Sequence, residues 1–149
     1  MKAKYTHTSI VARDWRALAR FYEEVFGCTV LPPERDLSGE WLDRATGVAH
    51  AHLRGAHLRL PGHGDSGPTL EIFQYDESKP RPEVASNREG IAHLAFEVDD
   101  VEEAAAEVIT RGGRHVGRVT EKDIPGVGVL TLVYLADPEG NVIELQSWS

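Results

Sequence analysis

The chain has 149 residues, 41% of them hydrophobic, which is enough for one domain or for two small fused modules with a buried core. Its formal net charge is −8, from 16 basic and 24 acidic residues, and no Lys/Arg run exceeds two residues, so a general nucleic-acid-binding surface is not expected. No membrane span is expected either, and the absence of an apolar signal core before His7, together with the single Cys28, predicts a cytoplasmic protein.

The first half begins with a predicted strand and an amphipathic helix. Residues 5–11 are typical of a short strand, and Asp14 is suited to cap a following helix. Gly27 is placed to end that helix in a left-handed conformation. Further strands are predicted at residues 49–54, 58–60 and 69–74. The apolar positions that define the helix recur at three- and four-residue steps: Trp15, Leu18, Tyr22, Val25 and Phe26.

The second half restates the first with an offset of 86 residues. His7, Asp14 and Gly27 correspond to His93 (7 + 86), Asp100 (14 + 86) and Gly113 (27 + 86). A strand is therefore predicted at residues 91–98, and strands at 129–135 and 141–146 follow a second helix. The apolar positions of that helix are Val101, Ala104, Ala105, Val108 and Ile109, and Gly112-Gly113 follow them as a C-terminal cap.

The repeat predicts an α+β fold built from two tandem βαβββ modules, residues 1–79 and 88–149. A linker at residues 80–87 is rich in proline and charge, and the whole chain 1–149 is predicted to be one domain. We expect the modules to form a curved mixed sheet with a central metal-binding concavity. The first module carries about 13 extra residues (71 − 7 = 64 against 144 − 93 = 51), between residues 31 and 70, a position from which insertions often shape a substrate site.

Four residues stand out because strand side chains alternate between two faces. One potential ligand per strand lies opposite the expected apolar face: His7, Glu71, His93 and Glu144. The repeat pairs the two histidines with each other and the two glutamates with each other. Two neutral imidazoles and two carboxylates would hold a divalent cation with no net charge left over. We therefore predict one divalent metal at these four residues, with Zn, Ni, Co, Mn or Fe(II) suited to the donor set.

Other candidates are interpreted more conservatively. His50, His52, His57 and His63 have no carboxylate nearby in sequence, so a solvated strand face or the lip of the pocket is favoured over a second metal site. Phe73 and Tyr75 share the predicted face of Glu71 and either line a pocket or pack ordinarily. Trp41 either stacks on a substrate or, as favoured here, anchors a short helix.

At the four ligand positions the chain resembles the vicinal-oxygen-chelate superfamily, which includes glyoxalase I, methylmalonyl-CoA epimerase, fosfomycin-resistance proteins, extradiol dioxygenases and bleomycin-binding proteins. The resemblance covers almost the whole chain. The chain resembles bacterial-type glyoxalase I most, because that enzyme has His, Glu, His and Glu at the positions that match His7, Glu71, His93 and Glu144. Epimerases tend to have Gln in place of Glu71. The motifs that carry it are residues 6–11, Arg20-Phe21-Tyr22, Phe26-Gly27, Leu70-Glu71-Ile72, residues 90–96 and residues 137–145.

The resemblance implies a metal-dependent lyase or isomerase, glyoxalase-like or acyl-CoA epimerase-like, that moves a proton next to a carbonyl through a metal-stabilised enediolate. Glu144 is the first choice for the base and Glu71 the second, and the substrate is a small molecule with vicinal oxygens. The alternatives are a binding or resistance protein that sequesters an antibiotic or aromatic metabolite, and a dioxygenase of the same superfamily. Open sheet edges and the habit of such proteins to pair predict a homodimer.

Overall fold

The structure is a computed structural model that describes all 149 residues, and the chain divides into two compact units, Met1–Pro80 and Arg81–Ser149. The boundary lies at the start of the predicted linker. The first unit contains β1 (His7–Val11), α1 (Trp15–Phe26), β2 (Thr29–Ser38), α2 (Glu40–Thr46), β3 (His52–Arg59) and β4 (Thr69–Tyr75). The second contains β5 (Leu94–Glu97), α3 (Val101–Thr110), β6 (Arg114–His115), β7 (Thr120–Ile124), β8 (Gly128–Ala136) and β9 (Val142–Trp148).

Each unit has its own mixed sheet, and the two sheets follow the same plan. In the first, the order is β1-β4-β3-β2, with β1 parallel to β4 and the other pairs antiparallel. In the second, the order is β5-β9-β8-β6, with β7 also paired to β8 and β5 parallel to β9. The predicted α+β fold class and the internal repeat are confirmed, with one sheet in each unit where we expected a single curved sheet.

The two long helices begin where the sequence predicts them. Asp14 accepts a hydrogen bond from the backbone N–H of Ala17 at 3.0 Å, and Asp100 accepts one from Glu103 at 2.9 Å. Each carboxylate satisfies a backbone donor that has no partner inside the helix. The first helix ends at Gly27 with φ 68°, as expected. The second ends one residue earlier than predicted, at Arg111, and Gly112 supplies the positive φ.

The helices cover one face of each sheet with apolar side chains. In the first unit α1 packs against β3 and β4 and buries Trp15, Leu18 and Tyr22. In the second α3 packs against β8 and β9, and it buries Val101 and Val108. Burial of these side chains drives the packing, and it leaves the opposite face of each sheet to carry polar groups. No helix has the length and apolar character needed to cross a membrane.

Several strands were not predicted. The strand β2 pairs with β3 throughout Thr29–Ser38 except for an irregularity between Leu31 and Arg35. Pro32 and Pro33 lie there, and a proline has no N–H to donate to a sheet. In the second unit two separate strands, β6 and β7, pair with β8 instead. All three have mostly exposed or half-buried residues, so they lack the apolar alternation on which the prediction depended.

The stretch of residues 31–70, which contains the extra residues of the first unit, includes most of β2, the helix α2, the whole of β3 and the segment before β4. The helix at Glu40–Thr46 confirms the short helix predicted around Trp41. The anchor is different from the one we favoured, because Trp41 is 58% exposed whereas Leu42 is buried. Leu42 packs with Ala51 and Leu53 in a small apolar cluster.

Candidate functional site

In the first unit the pairing of β1 with β4 brings His7 to Glu71. Ile10 is paired with Ile72, and both are buried on the helix-covered side, so alternation places His7 and Glu71 on the other face. The Nε2 atom of His7 lies 3.4 Å from Oε2 of Glu71. The Glu71 side chain is only 11% exposed, whereas that of His7 is 43% exposed. A carboxylate so little exposed needs polar partners.

A third group of this site, His57, lies on the neighbouring strand β3. Its Cα is paired with that of Glu71, and its Nε2 lies 3.0 Å from Oε1 of Glu71. Its Nδ1 lies 3.4 Å from the hydroxyl oxygen of Thr69. The carboxylate of Glu71 thus has one imidazole at each oxygen, and the two imidazole rings stand edge to face with centroids 6.0 Å apart.

Beside these polar groups the same face becomes apolar. The Phe73 ring stands edge to face against His57, with ring centroids 5.9 Å apart. It lies over Gly55, where an added Cβ would come within 2.5 Å of Phe73 Cδ1 and 2.0 Å of the Ile72 carbonyl oxygen. Phe73 and Tyr75 pack against the cluster of Leu42, Ala51 and Leu53. Ordinary packing therefore accounts for both aromatic residues, and the lining of a pocket stays a prediction for them.

The second unit repeats the arrangement with His93 and Glu144. We predicted His93 inside a strand of residues 91–98. The observed strand β5 begins one residue later, at Leu94, so His93 lies immediately before it. Its Nε2 is 2.9 Å from Oε2 of Glu144, and the Glu144 side chain is 13% exposed. The two units therefore each bring one predicted histidine into contact with one predicted glutamate, at corresponding places in the repeat.

Tyr134 completes the second group. It is paired with Glu144 across β8 and β9, as His57 is paired with Glu71 across β3 and β4. Its ring stands edge to face against His93 with centroids 5.2 Å apart. Burial raises the pKa of the Tyr134 hydroxyl, and the negative charge of Glu144 and a hydrogen bond between the two side chains raise it further. Tyr134 therefore stays protonated at neutral pH, so its hydroxyl is able to donate a hydrogen bond to a carboxylate.

The pKa of His57 is set by effects that lower it and by one that raises it. Burial lowers the pKa of His57, the attraction of Glu71 raises it, and the nearby Arg35 and His7 lower it again. The net direction is downward, because the desolvation of a charged imidazole outweighs its attraction to one carboxylate here. A neutral His57 has one N–H, and placing it on Nε2 satisfies both Glu71 and, through Nδ1, the hydroxyl of Thr69.

The predicted ligand set is thus brought together in two pairs, His7 with Glu71 and His93 with Glu144. No group of three or more His, Cys, Asp or Glu side chains has a metal-binding arrangement in the chain. The donor chemistry fits a divalent metal, since imidazole nitrogen and carboxylate oxygen suit Zn, Ni, Co, Mn and Fe(II). Two such atoms, each about 2.1 Å from one metal, would stand about 3.0–3.4 Å apart. The distances within the pairs, 3.4 and 2.9 Å, are close to that range.

Sequence reasoning missed His57 and Tyr134 as site residues. The sequence groups His57 with the histidines of a solvated strand face, because no carboxylate is near it in sequence. Its partner, Glu71, is 14 residues away (71 − 57) and becomes adjacent only through the register of β3 and β4. The available signal was the repeat itself, because each of these residues lies on the strand that precedes a predicted ligand strand.

The remaining histidines do not join this site. His50 lies in a turn with φ 55°, outside β3. His52 lies between two aspartates, with Nε2 2.7 Å from Asp36 and Nδ1 2.8 Å from Asp76. These hydrogen bonds raise the pKa of His52. Arg54 also binds Asp76, at 2.7 Å, so this side of the strand is an exposed ion-pair network.

Known proteins resemble the chain along its whole length. The glyoxalase-like domain family matches residues 7–146. A glyoxalase family protein from Bacillus cereus has a TM-score of 0.74 and 20% identity, over 99% of this chain and 94% of that one. One from Enterococcus faecalis has a TM-score of 0.62 and 26% identity, over 96% of each chain. A glyoxalase/bleomycin resistance protein/dioxygenase family enzyme from Burkholderia phytofirmans has a TM-score of 0.56 and 18% identity, over 99% of this chain and all of that one (100%). Among the curated proteins none matches the chain.

Proposed function

Since the chain belongs to the glyoxalase-like domain family, within the vicinal-oxygen-chelate superfamily, we propose that it is a divalent-metal-dependent lyase or isomerase. It moves a proton next to a carbonyl group of a small substrate with two neighbouring oxygens. The observation that supports this most is the repeated contact of one imidazole with one little-exposed carboxylate, His7 with Glu71 and His93 with Glu144.

These four side chains are the proposed metal ligands. Each unit supplies one pair, His7 with Glu71 in the first and His93 with Glu144 in the second. A divalent metal held there supplies a Lewis acid beside the oxygens of the substrate. His7 and His93 act as ligands only, because a neutral imidazole that gives its lone pair to a metal has none left to accept a proton.

Glu144 is the proposed base. A carboxylate can take a proton from one carbon and return it to the next, and a base that is little exposed keeps that proton from exchanging freely with water. Oε2 of Glu144 lies 2.9 Å from Nε2 of His93, and Tyr134 is the cross-strand partner of Glu144 on β8. Glu71 is the second candidate, and it contacts an imidazole at each of its two oxygens.

The metal is tested first. Purified protein is expected to hold about one divalent ion per chain, removable by a chelator, and His93→Ala should abolish it, because losing one of four ligands also opens the site to water. His115→Ala is the matched control, since His115 is exposed in the short strand β6 of the same unit. Metal content is measured by elemental analysis, and an unchanged stoichiometry in His93→Ala would refute the ligand assignment.

The chemistry is tested next on the metal-loaded protein. A panel of hemithioacetals of 2-oxoaldehydes and 2-substituted acyl thioesters is incubated in deuterated water, and both conversion to product and deuterium incorporation beside the carbonyl are measured. Glu144→Gln should lose turnover by about 10²–10⁴-fold while it keeps much of its metal, and Glu102→Gln on the exposed start of α3 should behave as wild type. Loss of metal in Glu144→Gln would move the base role to Glu71. If the panel shows neither deuterium exchange nor conversion, a binding or resistance protein, or dioxygenase chemistry, is favoured instead.

A further inference from the structure

Each unit places one polar ring directly across from its candidate glutamate. His57 on β3 is the cross-strand partner of Glu71 on β4, and Tyr134 on β8 is the partner of Glu144 on β9. Directly opposed residues on one face of an antiparallel pair lie close enough to interact. The repeat therefore keeps a position for a group that touches the carboxylate, although the residue types differ.

The contacts of His57 restrain both its ring and the carboxylate. Its Nε2 is 3.0 Å from Oε1 of Glu71, its Nδ1 is 3.4 Å from the hydroxyl of Thr69, and its ring stands against Phe73. Phe73 is itself held over Gly55, where no side chain other than hydrogen fits. The imidazole of His57 is therefore held beside one carboxylate oxygen of Glu71, Oε1, while the other oxygen, Oε2, lies on the side of His7.

We propose that His57 is a positioning residue that holds the Glu71 carboxylate in the orientation needed to bind the metal, and that Tyr134 does the same for Glu144. This rests on the proposed metal site. A glutamate side chain rotates about three bonds, so an unsupported carboxylate would have to be ordered when the metal binds. A ring held against the carboxylate, as His57 is at 3.0 Å from Glu71, provides that order beforehand, and loss of such a group typically weakens metal affinity about 10–100-fold.

Two observations favour positioning over direct ligation by His57. Both of its ring nitrogens already face protein oxygens, those of Glu71 and Thr69. The corresponding position of the second unit carries a tyrosine, which is paired with Glu144 across the strands and whose ring stands edge to face against His93. What His57 and Tyr134 share is the ability to donate a hydrogen bond to a carboxylate.

The test uses the full chain, stripped of metal and titrated with Zn²⁺ in competition with a chromophoric chelator. His57→Leu keeps the volume of the ring but cannot donate, and it should bind Zn²⁺ about 10–100-fold more weakly than wild type. His57→Gln keeps an N–H donor and should recover most of that loss, which a merely space-filling role would not predict. Tyr134→Phe, which loses only a hydroxyl, should weaken binding in the same direction. His115→Leu at the exposed end of β6 is the control and should bind as wild type.

The outcomes separate this proposal from the metal site itself. If wild type does not bind Zn²⁺, the proposed function fails. If wild type binds and His57→Leu, His57→Gln and Tyr134→Phe all bind equally well, the metal site stands and the positioning role is overturned. X-ray absorption on the Zn-loaded wild type should count two imidazole ligands, and a third would make His57 a ligand and overturn the proposal. Should His57→Leu fail to fold, judged by circular dichroism, His57→Gln and Tyr134→Phe decide the matter.

Discussion

Gly55→Ala tests how the candidate site is built into the sheet. Gly55 lies in the interior of β3, in an extended conformation open to any residue, so backbone strain is not the reason for glycine here. The reason is space, because a Cβ would meet the carbonyl oxygen of Ile72 at 2.0 Å and the ring and Cα of Phe73 at 2.5 and 2.9 Å. The carbonyl and Cα belong to the neighbouring strand, so relief requires β3 and β4 to move apart.

The expected change in the stability of Gly55→Ala is the difference between two opposing effects. Alanine restricts the unfolded chain and would stabilise the protein by about 0.4–1 kcal/mol where it fits. Forcing a methyl group into an occupied site costs about 1–3 kcal/mol, and contacts with backbone atoms place this case near the upper end. The overlap outweighs the gain. A cost of about 3 kcal/mol in a chain of this size corresponds to a Tm lower by roughly 6–12 °C, less the smaller gain.

Thermal unfolding of the metal-free variants, followed by circular dichroism, measures this effect. Gly117→Ala is the matched control, because its Cβ would have only ordinary contacts at 4.0 Å, all with Tyr134. Its Tm should equal that of wild type or rise by up to about 4 °C, since an alanine that fits stabilises by about 0.4–1 kcal/mol. A Gly55→Ala variant as stable as wild type would show that Phe73 does not lie over β3 as described, and would remove the support assigned to His57.

Three further predictions concern other parts of the molecule. Burial raises the pKa of Cys28 to about 11, so iodoacetamide at pH 8 should alkylate the native protein far more slowly than the protein unfolded in guanidinium chloride; equal rates would show an accessible thiol. The pKa of His52 is raised by its hydrogen bonds to Asp36 and Asp76, and that of Asp76 is lowered. The network therefore stabilises the fold above the lowered pKa of Asp76, and loses its effect as pH rises through the raised pKa of His52. The Tm difference between wild type and His52→Asn should accordingly shrink from pH 6 to pH 9 and with added salt, and a difference that grows would refute the assignment. The outer strands have no further strand beside them: these are β1 and β2 in the first sheet, and β5 on one side and β6 and β7 on the other in the second. Because open sheet edges favour pairing with another chain, light scattering at micromolar concentration should show a homodimer, and a monomer would contradict the prediction.

Local sequence signals determined the repeated part of the fold. Asp14 and Asp100 mark the starts of helices because a capping carboxylate needs only the next three residues to form its hydrogen bond. Alternation along a single strand was likewise enough to place Glu71 and Glu144 on the face opposite the buried side chains. The offset of 86 residues identified His7 and His93 as equivalent positions of the repeat. In the structure each of these histidines contacts one glutamate of its own unit, Glu71 or Glu144.

Only the tertiary structure decided which further groups touch those glutamates. The partners His57 and Tyr134 are separated from Glu71 and Glu144 by turns, and a shift of one residue in register would turn either ring to the other face of the sheet. That register depends on the close packing of Phe73 over Gly55 and on the pairing of neighbouring strands. The strands β2, β6 and β7 escaped prediction for the same reason, because their pairing is specified by hydrogen bonds to a partner strand rather than by an apolar pattern of their own.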